Sequence, residues 1–366
     1  MTAAPIEIPA EQAAALVARI FVAAGMEQNG ARRVAQGLVE ADLEGLPSHG
    51  VMLTEMYVQR LRAGSVSGRG TTEVVSDNGC AIVLDAAHSF GHVSGDRAMT
   101  LAIDRARQVG AGIVAVRHGF HFGAAAPYAR RAADEGCIGV VMCNTRPLMP
   151  APGGAERVVG NNPIAIAVPT AGEIPLVLDM ATSEAAMGKI RLAEKAGRPI
   201  PGNWAVQDDG APTTDPKAAI AGMLLPAAGP KGFGLALMID LMCGLLSGGT
   251  IGDEVKPLYG DPSVRYDCSH LFVAIDVAHF CDLDWFKARA AGAAERIRNS
   301  KRAAGVQQVF LPGEPEWRKR QSAKGRVAID VAVASNLVKL ASSLHVSAEP
   351  LTENSISSGE VANAKT

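Results

Sequence analysis

Apolar residues recur on a helical period at the start of the chain and on a strand period further in. Leu16, Val17, Ile20 and Phe21 mark a helix over 9–24, closed by Gly25, and Val34, Leu38 and Val39 mark a second over 29–43. A third is expected over 48–63, with Ser48 as its N-cap and Gly64 as its stop. The character then changes. Residues 72–76 and 81–85 read as strands split by the turn Asp77-Asn78-Gly79. Further strands are expected over 112–117, 138–143, 164–168, 175–179 and 271–276, with helices over 94–108, 125–135, 184–196 and 231–246. A polar loop covers 201–216, and helices return over 284–302 and 329–344. The pattern divides the chain into a helical part (1–70), a strand-rich part (71–283), a helical C-terminal part (284–346) and a polar tail (347–366). That tail has little to bury and is expected to be disordered.

Composition narrows the class. A chain of 366 residues with a net charge of −2 and no basic block gives nucleic acid no electrostatic footing. The N-terminus carries neither a basic segment nor an apolar h-region, so a cytoplasmic location is expected. The longest apolar run, 232–246, has Asp240 in its middle and reads as a buried helix rather than a membrane span. Six cysteines lack paired spacing and are expected to be reduced core residues. Strand–helix alternation over 81–143 suggests a doubly wound dinucleotide fold, yet no Gly-x-Gly-x-x-Gly or Walker loop accompanies it.

Several stretches could carry chemistry. Gly45-Leu46-Pro47-Ser48-His49-Gly50 delivers an imidazole to a helix entrance, with Leu53 and Tyr57 following on the same face. His121 lies just past a buried-type strand, and Phe122, Gly123, Ala124 and Ala125 lead into a helix. Neither His118 with His121 nor His88 with His92 has a third ligand arranged nearby, so no metal site is expected. Gly160-Asn161-Asn162-Pro163 offers turn geometry and amides. Asp179-Met180-Ala181-Thr182-Ser183 joins a strand end to a helix start, with Ser183 a candidate cap and Lys189 further into that helix. Gly229-Pro230-Lys231-Gly232 is the best anion-binding signal, combining glycines, a helix N-terminus and a cation. Pro312-Gly313-Glu314 is a turn into a charged helix.

In order, Pro47-Ser-His-Gly50, His121-Phe-Gly123, Gly153-Gly154, Gly160-Asn-Asn-Pro163, Asp179-Met-Ala-Thr-Ser183, Gly188-Lys189, Pro212-Thr-Thr-Asp-Pro216, Gly229-Pro-Lys-Gly232 and Leu311-Pro-Gly-Glu-Pro-Glu-Trp317 form a set. The set resembles the type-2 malate/L-lactate dehydrogenase family over about residues 8–345, a family that also holds ureidoglycolate dehydrogenase, diketogulonate reductase and cyclic-imine reductases. The resemblance implies an α/β (α+β-like) fold with a non-Rossmann, mixed and largely antiparallel sheet holding NAD or NADP. A helical domain from both chain ends and a homodimer are implied with it. By family position His49 resembles the proton donor and acceptor, supported by Ser48, and His121 takes that role in ureidoglycolate dehydrogenases. His121 to Ala125, Asn162, Asp179 to Ala181, Lys189, Lys231 with Gly232, and Pro312 to Glu314 resemble cofactor contacts. Tyr57 and Asn161 resemble substrate contacts.

Three departures bear on substrate. Leu53 stands where many members carry a carboxylate-binding Arg, Asn161 where many carry Thr, and Lys189 where cyclic-imine reductases carry an acid. Arg146 is the replacement expected for the missing Arg. The expected activity is hydride transfer between NAD(P) and a small 2-hydroxy carboxylate of malate, lactate, sulfolactate or ureidoglycolate type, with His as general acid/base. An imine or 2-keto sugar-acid reductase, or a member that binds without turnover, are the alternatives. No membrane or nucleic-acid partner is expected.

Overall fold

Seven of the apolar stretches pair into one sheet. Its strands run, edge to edge, Glu73–Asn78, Ala81–Asp85, Ala111–Gly119, Cys268–Asp276, Cys137–Cys143, Ile164–Val168 and Leu176–Met180. The 81–85 and 111–119 strands are parallel, and every other pairing is antiparallel. The expected mixed, largely antiparallel sheet is thus the one present. The structure, a computed structural model, describes residues 4–352.

Strand alternation sends successive side chains to opposite faces. Val114, Val116, Val141 and Phe272 face the helices Gly91–Val109 and Ala126–Asp134, in the main core. Ala115, Met142 and Leu271 face the helix Pro230–Ser247 through Ile239 and Cys243. Glycine permits the closest approach on the first face, because a Cβ on Gly112 would overlap the carbonyl of Ala102. The 230–247 helix is buried on one side only, a correction to the fully buried helix expected from its composition. By length and composition it could cross a membrane, yet it lies along the sheet. Leu235, Met238, Leu245 and Leu246 face outward.

The chain ends meet. The short strands Ile6–Pro9 and Arg326–Ile329, absent from the sequence-based reading, pair antiparallel beside the helices Ala10–Ala23, Gln28–Leu43 and Val331–Ser343. Leu351 is 1 % exposed and packs in the main core, so residues 347–352 are held there; the rest of the expected tail lies outside the described residues. Glu44, buried, accepts from Arg130 at 2.7 Å and Arg320 at 3.2 Å, joining the N-terminal helices to the sheet layer and to the helix Glu314–Ser322. Within 145–236, Met149, Val159, Ile190, Ile200, Leu224 and Ala236 form a separate small core. The loop expected over 201–216 contributes Ala205–Val206, which pairs with Met223–Leu224.

The third helix differs most from expectation. Pro47–His49 and Val51–Leu53 are single 3-10 turns, and the α-helix begins only at Thr54 (Thr54–Ala63). Ser48 therefore caps no helix. The break is held by Asp42, whose Oδ2 accepts from the Val51 N–H at 2.8 Å. A Cβ on Gly50 would collide with that carboxylate, so only glycine fits between the turns. Ser183 likewise caps nothing; its hydroxyl donates to the Ala185 carbonyl, and the following helix, Met187–Lys195, starts later than expected.

Burial raises the Asp42 carboxyl to about 7, the Val51 N–H only partly offsetting it. Between the ordinary carboxylate range and about pH 7 the native chain thus holds a proton that the unfolded chain has released. This group's contribution to stability therefore falls as pH rises through that window. Asp42→Asn, whose amide oxygen can still accept from Val51, should flatten the pH dependence of the urea-unfolding midpoint between about pH 4 and 7. An unchanged slope would remove Asp42 from the titration.

Candidate active site

The 3-10 turn at Pro47–His49 presents Ser48 and His49 beside the loop that follows the 111–119 strand. Ser48 Oγ lies 3.0 Å from His49 Nδ1, and the His49 and His121 rings stack with centroids 5.5 Å apart and planes 24° off parallel. Tyr57, fully buried, places its hydroxyl 2.6 Å from His121 Nδ1. Phe90 and Phe120 pack on the Tyr57 ring at 5.5 and 5.2 Å and fix where that hydroxyl points. Leu53, between His49 and Tyr57 in sequence, turns into the core and is 1 % exposed.

Desolvation dominates the electrostatics. It lowers the His49 pKa and, with the neighbouring His49, His92 and His270 rings, holds His121 well below the ordinary histidine value. The same burial pushes the Tyr57 phenol well above its usual value, so it keeps its proton. At neutral pH the cluster is an uncharged hydroxyl and two neutral imidazoles. His121, bonded through Nδ1, leaves Nε2 as the ring nitrogen available to a ligand.

A third imidazole belongs here, one the sequence offered only as half of a metal pair with His88. His92 is 2 % exposed, lies 6.1 Å from the Tyr57 ring, and neither ring nitrogen has a hydrogen-bond partner among the described residues. Burial takes it down to about 3, so it is neutral. It fits only because Gly37 and Gly123 lie against it; a Cβ on Gly123 would come within 2.8 Å of its Nε2. In sequence it is one polar residue at the start of an amphipathic helix, and its spacing from His88 says nothing of Tyr57 or His121.

Other segments converge from the sheet's far edge. Asp179 Oδ2 accepts from the Ala126 N–H at 2.8 Å, fastening the end of the 176–180 strand to the helix start after Phe122, Gly123, Ala124 and Ala125. Burial lifts its carboxyl to about 6. Pro312 accepts from the Val177 N–H, and Gly313 (φ +82°) packs against Val177, so this turn docks two residues before Asp179 and three before Met180. Asn161 accepts from the Thr182 N–H through its carbonyl and from Thr145 through its side chain, bringing Ala181 and the turn carrying Arg146 together. Gly188, next to Lys189, faces Ser48: a Cβ there would lie 3.9 Å from that of Ser48. Ala227 donates to the Thr182 carbonyl and Glu184 to the Leu225 carbonyl, which sets Lys231 and Gly232 beside the 179–184 segment.

Two candidates have side chains committed to the fold. Asn162 accepts from the Thr145 N–H and donates to the Ala236 carbonyl, and it is fully buried. Glu314 is fully buried against Arg298 and Arg318. Arg146 is the opposite case. It is half-buried, which lowers its pKa, and no carboxylate among the described residues lies within ion-pair distance of it. Tyr266, near Arg146, packs on Phe120 at 5.9 Å, one residue from His121.

A family model described as malate/L-lactate dehydrogenase matches residues 8–338. The malate dehydrogenase of Pyrococcus abyssi is 38% identical over 317 residues, 84% of this chain and 86% of that protein. The ureidoglycolate dehydrogenase (NAD(+)) of Escherichia coli O157:H7 is 36% identical, over 82% of this chain and 85% of that protein. The solved structure of sulfolactate dehydrogenase from Methanocaldococcus jannaschii superposes with a TM-score of 0.89 at 35% identity, covering 94% of this chain and 98% of that one. Match length, identity and superposition agree: the chain belongs to the malate/L-lactate dehydrogenase family.

Proposed function

We propose that this chain is a dehydrogenase exchanging a hydride between a nicotinamide dinucleotide, NAD or NADP, and a small 2-hydroxy carboxylate. The observation that carries the reading is the neutral His121 held by the Tyr57 hydroxyl and stacked on His49, in a chain of this family. The relatives named as malate and ureidoglycolate dehydrogenases act on 2-hydroxy acids by those names, and one name carries NAD(+).

The residues present fit an extended anionic ligand. Lys231 is exposed at the start of the 230–247 helix, where helix N–H groups favour negative charge. Gly229 before it (φ +62°) leaves open space where a Cβ would stand. Beside it the Thr182 hydroxyl is buried without a partner. Lys231, Gly232, the 179–182 segment, Lys189, the 121–125 loop and the Pro312–Gly313 turn would hold the dinucleotide, gripped without a Rossmann glycine loop. When bound, its nicotinamide supplies a hydride acceptor or donor at the substrate carbon.

The chain's own part is the proton. A neutral His121 that donates its Nδ1–H to the Tyr57 oxygen keeps Nε2 free to take the proton of the substrate hydroxyl as the carbinol carbon is oxidised; in reduction the imidazolium returns it to the carbonyl oxygen. His49 stacks on His121 and meets the Ser48 hydroxyl through Nδ1, a second neutral imidazole at the same site. Arg146 meets the substrate carboxylate in place of the arginine that Leu53 replaces.

This face of the sheet also suits a partner copy. Leu235, Met238, Leu245 and Leu246 leave an apolar stripe outward on the 230–247 helix, the kind of surface a homodimer covers.

Each element has its own test. Against a panel of 2-keto acids with both reduced cofactors, His121→Ala should lower kcat by about 10²–10⁴-fold and His49→Ala by less. Equal activity in wild type and His121→Ala would end the acid/base assignment. Arg146→Ala should raise KM for the carboxylate substrate at least about tenfold, roughly 1.4 kcal/mol, with kcat little changed; an unaltered KM takes Arg146 out of the site. Leu246→Glu should give a folded monomer by light scattering where the wild type is a dimer, and a persisting dimer would move the interface elsewhere.

A further inference from the structure

We propose that Cys143, Cys268 and His270 form a buried site for one thiophilic d10 cation, zinc(II) by charge. The three come together through strand register. His270 opposes Cys143 across the antiparallel pair of the 268–276 and 137–143 strands, and Cys268 lies two residues before His270. The ladder to the 111–119 strand, on the other side, slips between Cys268 and His270. The sulfur and ring-nitrogen atoms of the three lie within 4.8 Å of one another, and Cys268 Sγ is 3.2 Å from His270 Nε2. Around a tetrahedral zinc, with bonds of about 2.3 Å to sulfur and 2.0–2.1 Å to nitrogen, neighbouring ligand atoms stand roughly 3.3–3.8 Å apart. Side-chain adjustment is therefore enough, and no strand has to move.

The surroundings point to a bound ion rather than to ordinary core packing. Cys268 and His270 are fully buried and Cys143 is 3 % exposed. The imidazole's hydrogen-bonding contacts are to sulfur, and its Nδ1 is buried with no partner. Its Nε2 faces sulfur and no oxygen, the setting a soft cation prefers. Phe122 stacks on it at 4.6 Å, and Gly119 leaves room for its edge, where a Cβ would come within 2.8 Å of Cε1.

Charge selects the metal. Two thiolates and a neutral imidazole around a divalent cation sum to zero, the cheapest state in a dry site. The cation takes the place of the thiol protons. The Asn144 carbonyl accepts from the Cys143 thiol at 3.0 Å while that thiol keeps its proton. Such an ion would pin the 137–143 strand, and with it the turn bearing Arg146, to the 268–276 strand.

The test uses the full chain, purified under reductant, dialysed against a chelator and titrated with cobalt(II) and then zinc(II). Wild type should develop a thiolate-to-cobalt charge-transfer band saturating at one equivalent, bleached by zinc, and zinc should raise its melting temperature. Cys143→Ser and His270→Ala should each weaken binding about tenfold or more, and Cys80→Ser, at an exposed thiol, should leave it unchanged. Should either variant fail to fold, Cys268→Ser and the wild-type titration decide. Absence of the wild-type band, loss of it in Cys80→Ser, or isolation of Cys143 and Cys268 as a disulfide that binds no metal would each overturn the site. None of these readouts depends on dehydrogenase turnover.

Discussion

Backbone pairing along both edges of the Cys268–Asp276 strand makes one sheet out of two. On one side it joins the 111–119 strand and on the other the 137–143 strand, which otherwise have no hydrogen-bonded contact in the sheet. Its neighbours lie well over a hundred residues earlier in the chain, so the pairing closes a long loop and is held by side-chain locks at its entry. Asn144 accepts from the Ser269 N–H and donates to the Asp240 carboxylate and the Thr250 carbonyl. Arg60, 1 % exposed, donates to the carbonyls of Pro257, Leu258 and Val264 just before the strand. Arg60 and Tyr57 share one short helix. The lock that seats the central strand therefore also seats the phenol that holds His121.

Around that helix, burial sets the chemistry. Removing His49, His92 and His121 from water disfavours their charged forms, while Asp42 and Asp179 are pushed toward protonation for the same reason. The result is a cluster of three neutral imidazoles around a neutral phenol. A neutral imidazole can accept a proton at physiological pH, and a phenol that stays protonated can orient it. The arrangement costs stability, since each group would be better solvated in the unfolded chain. The apolar contacts of Phe21, Phe90 and Phe120 around Tyr57 offset that cost.

Long periodic segments were legible because their cause is local. The helices Ala10–Ala23 and Gln28–Leu43 and the strands of the main sheet lie within a few residues of where apolar spacing puts them. Short elements were not. Ile6–Pro9 and Arg326–Ile329 are too brief to show a period and exist because they pair with each other. The Ser48 turn reads as a helix start, since a serine before an apolar run is an N-cap signal. What breaks it is the reach of Asp42 to Val51, an interaction across helices that spacing does not encode.

By itself the sequence determined the family, the order of its motifs and the residue types available for proton transfer, because these depend on identity and local order alone. The tertiary structure decided which of them meet. Tyr57 reaches His121, His92 sits between two glycines, and Asn162 and Glu314 spend their polar atoms on the fold. Two thiols and an imidazole from distant stretches share one face of the sheet. Such meetings follow from strand register and loop closure, which sum over the whole chain, so no single stretch of residues contains them.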